Sequence, residues 1–513
     1  MRTIGEWTRL NARRNPAREA FVGIDGRVTF GEAAERAWAL ARGLTGLGVS
    51  RGDPVGVLGG NTVFNAEVFL GVAVSGGIYT AYNWRWSAME LAEGIRESQP
   101  RILVVEDRFS DLLSTALSIV ASDDTTTALP RVISQGELDH FRTGEGTFPD
   151  VVGAEDSLCL IYTGGSTGTS KAVVLSHRAA TANALNEYID VGIGALPEER
   201  GLMVTPLFHS AGLLTWLVTH FVAGKTTVLV DKFDEGQFVE WVGRERATNS
   251  FMIPNMMRRL LQAGAFQAPE VQESFRALHT GAGLLRMPNK VEFVETLPQA
   301  KLFYRYGLSE AGPMVTRLLH EDMLDPTVDG SIGQEYHLVE ATLLSVDGDG
   351  REVEPGELGE ICVKGPSLMS GYFRRPLATA ETIVDGWLHT GDLATRDERG
   401  FYFFKDRLKE MIKSGGENVY CAEIEQVLYL HPAVLEAAVV GVSNDEWGEE
   451  VRAVVSLRPE MRASANELQE FLRQSLAGYK IPKEFVFMDA GELPRSGAGK
   501  LVKARLKDRL GWR

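Results

Sequence analysis

Cysteine is nearly absent: Cys159, Cys362 and Cys421 are the only three in 513 residues, and they follow no metal-binding spacing. A disulfide-built secreted fold is therefore excluded, and the thiols are expected to be reduced packing residues of a cytoplasmic protein. Long apolar runs are missing too. No stretch reaches the length of a membrane span, and the opening MRTIGEWTRLNARRNP lacks the apolar core of a signal peptide. Positive charge is scarce, with 53 Lys and Arg against 69 Asp and Glu for a net charge of −16. That balance argues against nucleic acid as the main partner, because a phosphate backbone needs a basic surface. What remains is an ordinary soluble composition, 44% hydrophobic and 24% charged, in a chain long enough for several cores.

Helical and extended patterns alternate along the first hundred residues. A helix is expected near Ile4 to Asn15, a hairpin over Ala20 to Phe30 turning at Asp25-Gly26, and a helix over Gly31 to Leu47. Short strands follow at Val55 to Leu58 and Ile102 to Glu106, with a helix over Asn61 to Gly76 between them. Ser122 to Leu129 reads as a polar surface loop, and Leu213 to Val222 as an apolar helical stretch. Such alternation predicts α/β architecture, with parallel sheet layers covered by helices. Beyond Gly330 the texture changes to short strands and turns. The Asp347 to Glu352 cluster is no calcium loop, because Glu352 stands where the sixth-position Gly belongs. A separate module is expected from about Leu408, with Ser464 and Glu467 forming a capping box. From Tyr479 to Arg513 nine basic residues face four acidic ones, a local surplus that suits a polyanionic small substrate or a solvated basic helix.

One stretch is organised for chemistry. Ile161 to His177 reads IYTGGSTGTSKAVVLSH: an apolar strand end, eight residues of only Gly, Ser and Thr, then Lys171 and a second apolar run. Glycines let backbone N–H groups converge, the hydroxyls of Thr163, Ser166, Thr167, Thr169 and Ser170 add donors, and a lysine closes the loop. Such a loop cradles an oligophosphate. It is not the usual P-loop, since no Gly stands directly before Lys171 and no Ser or Thr directly after it.

The loop resembles the phosphate-binding signature of adenylate-forming enzymes, a superfamily that includes acyl-CoA synthetases, although Gly164, Ser170 and Ala172 depart from the usual Ser, Pro and Gly. Four later stretches agree in order and character. Tyr306-Gly-Leu-Ser-Glu310, Trp387-Leu-His-Thr-Gly-Asp392, the run from Lys405 to Asn418 and Leu493 to Lys500 resemble the family's YGxTE, WxxTGD, hinge and terminal-lysine elements. Alone, each has a plain structural reading, such as a turn aspartate or a surface lysine. Their joint order makes the resemblance, which is nearest to the fatty-acyl and aryl acid–CoA ligases.

That resemblance implies a large N-terminal domain of layered αβ sheets with a small barrel-like subdomain, residues 1–407, and a small mobile α+β domain, residues 408–513, hinged near Lys409. It implies ATP, Mg²⁺ and coenzyme A as cofactors, a hydrophobic carboxylic acid as substrate, and no nucleic acid. Lys500, Glu310 and His209 would be catalytic. Thr163, Gly164, Gly165, Ser166, Thr167, Gly168 and Lys171 would grip phosphates, with Glu310 and Thr167 at the metal. Gly281, Ala282, Gly283, Tyr306, Gly307 and Ser309 would border adenine, and Asp392 and Arg407 the ribose. Gly415, Gly416, Glu417, Trp447 and Tyr479 would serve the coenzyme A path once the chain rotates at Lys409. The acid would lie among His209, Ala211, Gly212, Trp216, Gly281, Gly283, Ala311 and Gly312. Two questions stay open here: whether His209 faces the acid or is a satisfied core histidine, and whether those glycines leave room or serve tight turns. A carrier-protein thiol as acceptor, a non-catalytic nucleotide-binding relative, and a homodimer also stay open.

Overall fold

Capping boxes written into the sequence start several of the helices. Thr3 with Glu6, Thr29 with Glu32, Ser87 with Glu90 and Ser464 with Glu467 each exchange backbone and side-chain hydrogen bonds at a helix start. They are seen in a computed structural model that describes residues 1–122, 128–141, 152–163, 170–283, 285–414, 417–444, 447–495 and 501–512. Most of the polar stretch expected as a surface loop, 123–127, lies outside those residues.

Among the described residues the strands form four sheets. One has seven strands, with Pro54–Leu58, Ile78–Ala81, Ile102–Val105 and Arg131–Ser134 parallel and helices between them. Its other edge holds Ser157–Thr163, Lys171–Ser176 and Gly371–Tyr372. A nine-stranded sheet carries the parallel set Arg200–Met203, Asn249–Met252, Ala277–Gly281 and Lys301–Gly307, then turns antiparallel at Met314–Leu318. Every residue of the helix Val63–Ser75 is buried, as expected of a helix apolar on all faces. Its Gly71 lets the helix Phe30–Gly46 approach: a Cβ there would lie 2.6 Å from Leu40. The buried polar groups it carries are paired, Glu67 with Arg36 at 2.7 Å and Asn65 with the Tyr79 hydroxyl at 2.7 Å.

The apolar stretch after His209 is helical as predicted, but wound wide. Ala211–Val218 is a π-helix continuing into the α-helix Thr219–Val222. Thr219 Oγ1 donates to the Leu214 carbonyl at 3.2 Å, and His220 Nδ1 lies 2.8 Å from the Trp216 carbonyl. Side-chain groups thus take up carbonyls that the wide turn presents, something periodicity alone does not report.

Contacts gather the chain into two compact units. One comprises residues 1–163, 170–341 and 363–388; the other includes 342–362 and 389–513. In the second unit Val434–Asn444 and Gly448–Leu457 form a long antiparallel ribbon, joined by Ile412–Ser414, Glu417–Val419 and Glu484–Phe487. Strand alternation splits its core between the two faces. Val439 packs with Ile424, Leu428 and Leu468, while Ala438 and Val440 pack with Leu493, Leu506 and Trp512.

Candidate active site

In the first unit, the stems of the Gly/Ser/Thr loop are adjacent antiparallel strands, with Thr163 opposite Lys171. Thr163 Oγ1 donates to the Lys171 carbonyl at 3.3 Å, and Ser170 Oγ to the Thr163 carbonyl at 2.8 Å. Two hydroxyls expected to face phosphate therefore brace the neck of the loop. Gly164, Gly165, Ser166, Thr167 and Gly168 lie outside the described residues.

Lys171 Nζ sits 4.7 Å from the centre of the Tyr372 ring, and the Tyr372 hydroxyl donates to Glu310 Oε1 at 3.0 Å. The loop lysine and the expected metal carboxylate are thus joined through one aromatic ring. Burial, and then the Glu310 charge, push the Tyr372 phenol above its ordinary range, so it stays a neutral donor. Glu310 stands in the short turn Ser309–Ala311, just beyond the strand Lys301–Gly307. That turn is pinned on both sides: Ser309 Oγ meets Ser210 Oγ at 2.8 Å, and Met369 N donates to the Glu310 carbonyl at 2.9 Å.

The strand delivering Tyr306 and Glu310 is anchored by charge. Arg305 and Glu187 are both fully buried, with Arg305 Nη1 2.7 Å from Glu187 Oε2 and the Tyr336 hydroxyl donating to Glu187 Oε1 at 3.0 Å. Burial raises the Glu187 carboxyl and the Arg305 charge opposes the rise. Strand alternation then turns Tyr304 and Tyr306, both half-buried, away from Arg305. The Tyr304 hydroxyl donates to the Gly283 carbonyl at 2.9 Å and so ties down the exposed turn of Ala282 and Gly283, where Ala282 has φ of 62°.

Around the expected acid site, three glycines are required by backbone rather than by an open pocket. A Cβ at Gly212 would lie 2.2 Å from the Pro206 carbonyl oxygen, at Gly281 2.2 Å from that of Arg305, and at Gly312 1.8 Å from that of Ser367. Of the two readings left open for them, these three follow close chain packing rather than room for the acid, because a backbone carbonyl fills the space where each side chain would start. Gly307 is of the same kind, facing the Pro313 carbonyl at 2.0 Å. Gly283 differs, since a Cβ there would meet only the Pro254 side chain at 3.7 Å. Trp216, expected as pocket wall, is fully enclosed, its ring against His220, Phe251 and His279. His209 is half-buried, Ala211 likewise, and Ala311 buried. Asn183 links two walls, donating to the Leu214 carbonyl and accepting from Met314 N, each at 3.4 Å.

In the second unit, Asp392 and Arg407 are cross-strand partners, with Arg407 Nε 3.3 Å from Asp392 Oδ1. Thr390 Oγ1 accepts from Asp392 N and donates to the Ile361 carbonyl, which fixes the bend that presents the aspartate. Lys409 is exposed in the turn after Arg407. Glu410, next to it, meets Lys503 Nζ at 2.9 Å, and Lys503 also reaches Glu425 at 2.9 Å. Burial opposes ionisation of Glu410, but Lys503 holds its carboxyl below the ordinary value. Gly415, Gly416 and Lys500 lie outside the described residues, as does the Glu417 side chain. Their stems are paired, Ser414 with Glu417 and Arg495 with Leu501. Trp447 and Tyr479 are both exposed, at 45% and 43%.

The chain matches the model of the AMP-binding enzyme family over residues 8–373, and that of the AMP-binding enzyme C-terminal domain over residues 423–500. It belongs to the AMP-binding enzyme family. Among curated members, a feruloyl-CoA synthase from Amycolatopsis sp. is 34% identical over 510 residues, covering 99% of each chain. A fatty acid–[acyl-carrier-protein] ligase from Streptomyces coeruleorubidus is 32% identical, over 99% of this chain and 97% of that one. Among solved members, o-succinylbenzoate CoA synthetase from Bacillus subtilis, in complex with its acyl-adenylate intermediate, superposes with a TM-score of 0.86 at 30% identity over 98% of both chains. The same enzyme has been solved with ATP and magnesium ion, at a TM-score of 0.85 and 29% identity.

Family motifs single out Lys171, Glu310, Asp392 and Arg407 as candidates, but not the residues that hold the surrounding elements: Tyr372, Asn183, Arg305 and Lys503. Tyr372 lies in a short strand that no pattern announces, 62 residues from its partner Glu310. Phe208 has a neighbour that no motif announces either: the Arg85 guanidinium, whose charge is disfavoured by burial, stacks over Trp84 and Phe208.

Proposed function

We infer that this chain is an AMP-forming acid–CoA ligase. It activates a hydrophobic carboxylic acid with ATP, giving an acyl-adenylate and pyrophosphate, and then transfers the acyl group to coenzyme A with release of AMP. The observation that carries the reading is the Lys171–Tyr372–Glu310 chain: a phosphate-type cation and a carboxylate held to one ring, at the loop the family uses for ATP.

Carboxylate attack on the α-phosphorus brings two anions together, so donors must act on the transition state more than on the bound reactants. Lys171 and the loop it closes would hold the β- and γ-phosphates. Lys500 would bridge the reacting carboxylate and α-phosphate oxygens. Asp392, backed by Arg407, would accept from the ribose hydroxyls, and Tyr306 would stack on adenine beside Ala282 and Gly283. Glu310 suits a magnesium ion, being a half-buried carboxylate oxygen donor at a polar turn, with Thr167 as second donor. Magnesium, when bound, supplies charge neutralisation between phosphates. Rotation near Lys409 would exchange Lys500 for the Gly415–Gly416–Glu417 stretch, with Trp447 and Tyr479 along the coenzyme A path. His209, Ala211, Gly283 and Ala311 would border the acid.

A carrier-protein thiol is the second reading for the acceptor, favoured by the similarity to the acyl-carrier-protein ligase. A panel of aryl and fatty acids assayed for pyrophosphate release, then AMP release with free coenzyme A against an acyl carrier protein, separates the two. Acid-independent pyrophosphate release, or none, overturns the ligase reading and leaves a nucleotide-binding relative. Three free, buried cysteines fit a cytoplasmic setting. Among the described residues no helix is long and apolar enough to cross a membrane. Whether the chain assembles as a homodimer is a question for light scattering.

A further inference from the structure

Lys364 Nζ lies over the Trp387 ring, Cys362 Sγ meets His389 Nδ1 at 3.4 Å, and Glu360 accepts from Gly391 N at 2.8 Å. These rungs join two neighbouring strands, Leu358–Lys364 and Trp387–Arg396. Glu360 and Cys362 are two residues apart on a strand and so share one face. Gly391 has no side chain to fill the place opposite Glu360, and the carboxylate bends back until Oε2 is 2.8 Å from the same His389 Nδ1.

The convergence is the informative feature. A histidine that only knits a sheet can use both ring nitrogens for its two partners. Here a thiol and a carboxylate meet at one nitrogen, and a carboxylate oxygen, Sγ and Nδ1 lie within 4.8 Å of one another. Tetrahedral zinc, with bonds of about 2.3 Å to sulfur and about 2.0–2.1 Å to nitrogen, sets sulfur and nitrogen roughly 3.5 Å apart. The observed 3.4 Å separation needs no strand movement, and the carboxylate needs only a small swing. Its second oxygen is held by Gly391 N–H, the outer hydrogen bond that orients a ligating carboxylate. Entry is available too: His389 and Glu360 side chains are 30% and 13% exposed, and a Cβ at Gly391 would meet nothing within 4 Å.

We propose that Glu360, Cys362 and His389 form a three-ligand site for a divalent transition ion of the zinc class, with water completing the shell. Thiolate, imidazole and carboxylate together select such an ion over magnesium, which prefers oxygen ligands. The site belongs to no step of the ligase reaction and stands whether or not that reading holds. Binding releases the Cys362 thiol proton to solvent and changes no oxidation state.

Cobalt(II) is the probe, titrated into the reduced, nucleotide-free full-length chain. We expect one equivalent to bind with the visible bands of four-coordinate cobalt and a near-ultraviolet thiolate-to-cobalt band, and zinc to displace it. Cys362→Ser should abolish the thiolate band, His389→Ala should weaken binding by more than about tenfold, and Cys421→Ser should leave both unchanged. A wild-type titration with no thiolate band overturns the proposal by itself, whatever the variants do, and so does a band that survives in Cys362→Ser.

Discussion

The Tyr372 hydroxyl donates to Glu310 Oε1 at 3.0 Å while the same ring carries Lys171 Nζ on its face. One side chain therefore sets the position of both the carboxylate proposed for the metal and the ammonium proposed for the phosphates. Tyr372→Phe keeps the ring and removes only the donor. A hydrogen bond to a charged group contributes about 1.5–3 kcal/mol, so acid-dependent pyrophosphate exchange should fall roughly 10- to 100-fold. Half-saturation by magnesium should rise with it, while thioester formation from a supplied acyl-adenylate is spared. An unchanged magnesium dependence would remove Tyr372 from the positioning role.

The glycines of the expected acid site divide into two kinds, and mutagenesis should divide them the same way. Gly312 has φ of 85° and faces a carbonyl oxygen, so Gly312→Ala should destabilise the fold by several kcal/mol whatever acid is supplied. Gly283→Leu should fold normally and discriminate against the bulkiest acids while sparing short ones. Equal activity of Gly283→Leu on long and short acids would place the acid elsewhere.

Lys500 and Lys503 should separate by half-reaction. Lys500→Ala is expected to lower adenylation by at least about 100-fold and to leave thioester formation from the adenylate largely intact. Lys503→Met leaves Glu410 and Glu425 without their shared cation, beside the proposed hinge. Its kcat should fall in both half-reactions with KM for ATP little changed, and Lys503→Arg should restore most of it. A loss of stability with kcat intact would make Lys503 structural only.

The buried His177 ring makes acid sensitivity a property of the first unit. Ile4 N donates to His177 Nδ1 at 3.1 Å, which requires that nitrogen to be unprotonated. Burial pushes the imidazole down to about 4, from 6.5 in the unfolded chain. The unfolded state takes its proton first, so the His177 contribution is complete above pH 6.5 and is lost as pH falls toward 4. The whole loss is about 3 kcal/mol. Urea unfolding followed from pH 7 to pH 4 should show that acid limb, flattened in His177→Gln. An identical limb in the variant would assign it to other groups.

Local chemistry was legible in the sequence because its signals are local. Thr3 and Ser464 cap helices through a residue three places on, and strands alternate with helices over the first hundred residues as the apolar pattern requires. The expected hairpin forms too, but its turn is Ile24-Asp25 rather than Asp25-Gly26, with Gly26 opening the second strand opposite Gly23. Motif order likewise brought Asp392 and Arg407 into one reading before the strand pairing showed them 3.3 Å apart. Tertiary structure alone decided the rest, because it depends on which distant residues packing makes neighbours. No spacing announces that Tyr372 will reach Glu310, or that Arg305 will pair with Glu187 across 118 positions. Glycine is the sharpest case: the same residue type fits a close backbone approach at Gly281 and open space at Gly283, and only the carbonyl of Arg305, brought there by the neighbouring strand, tells them apart.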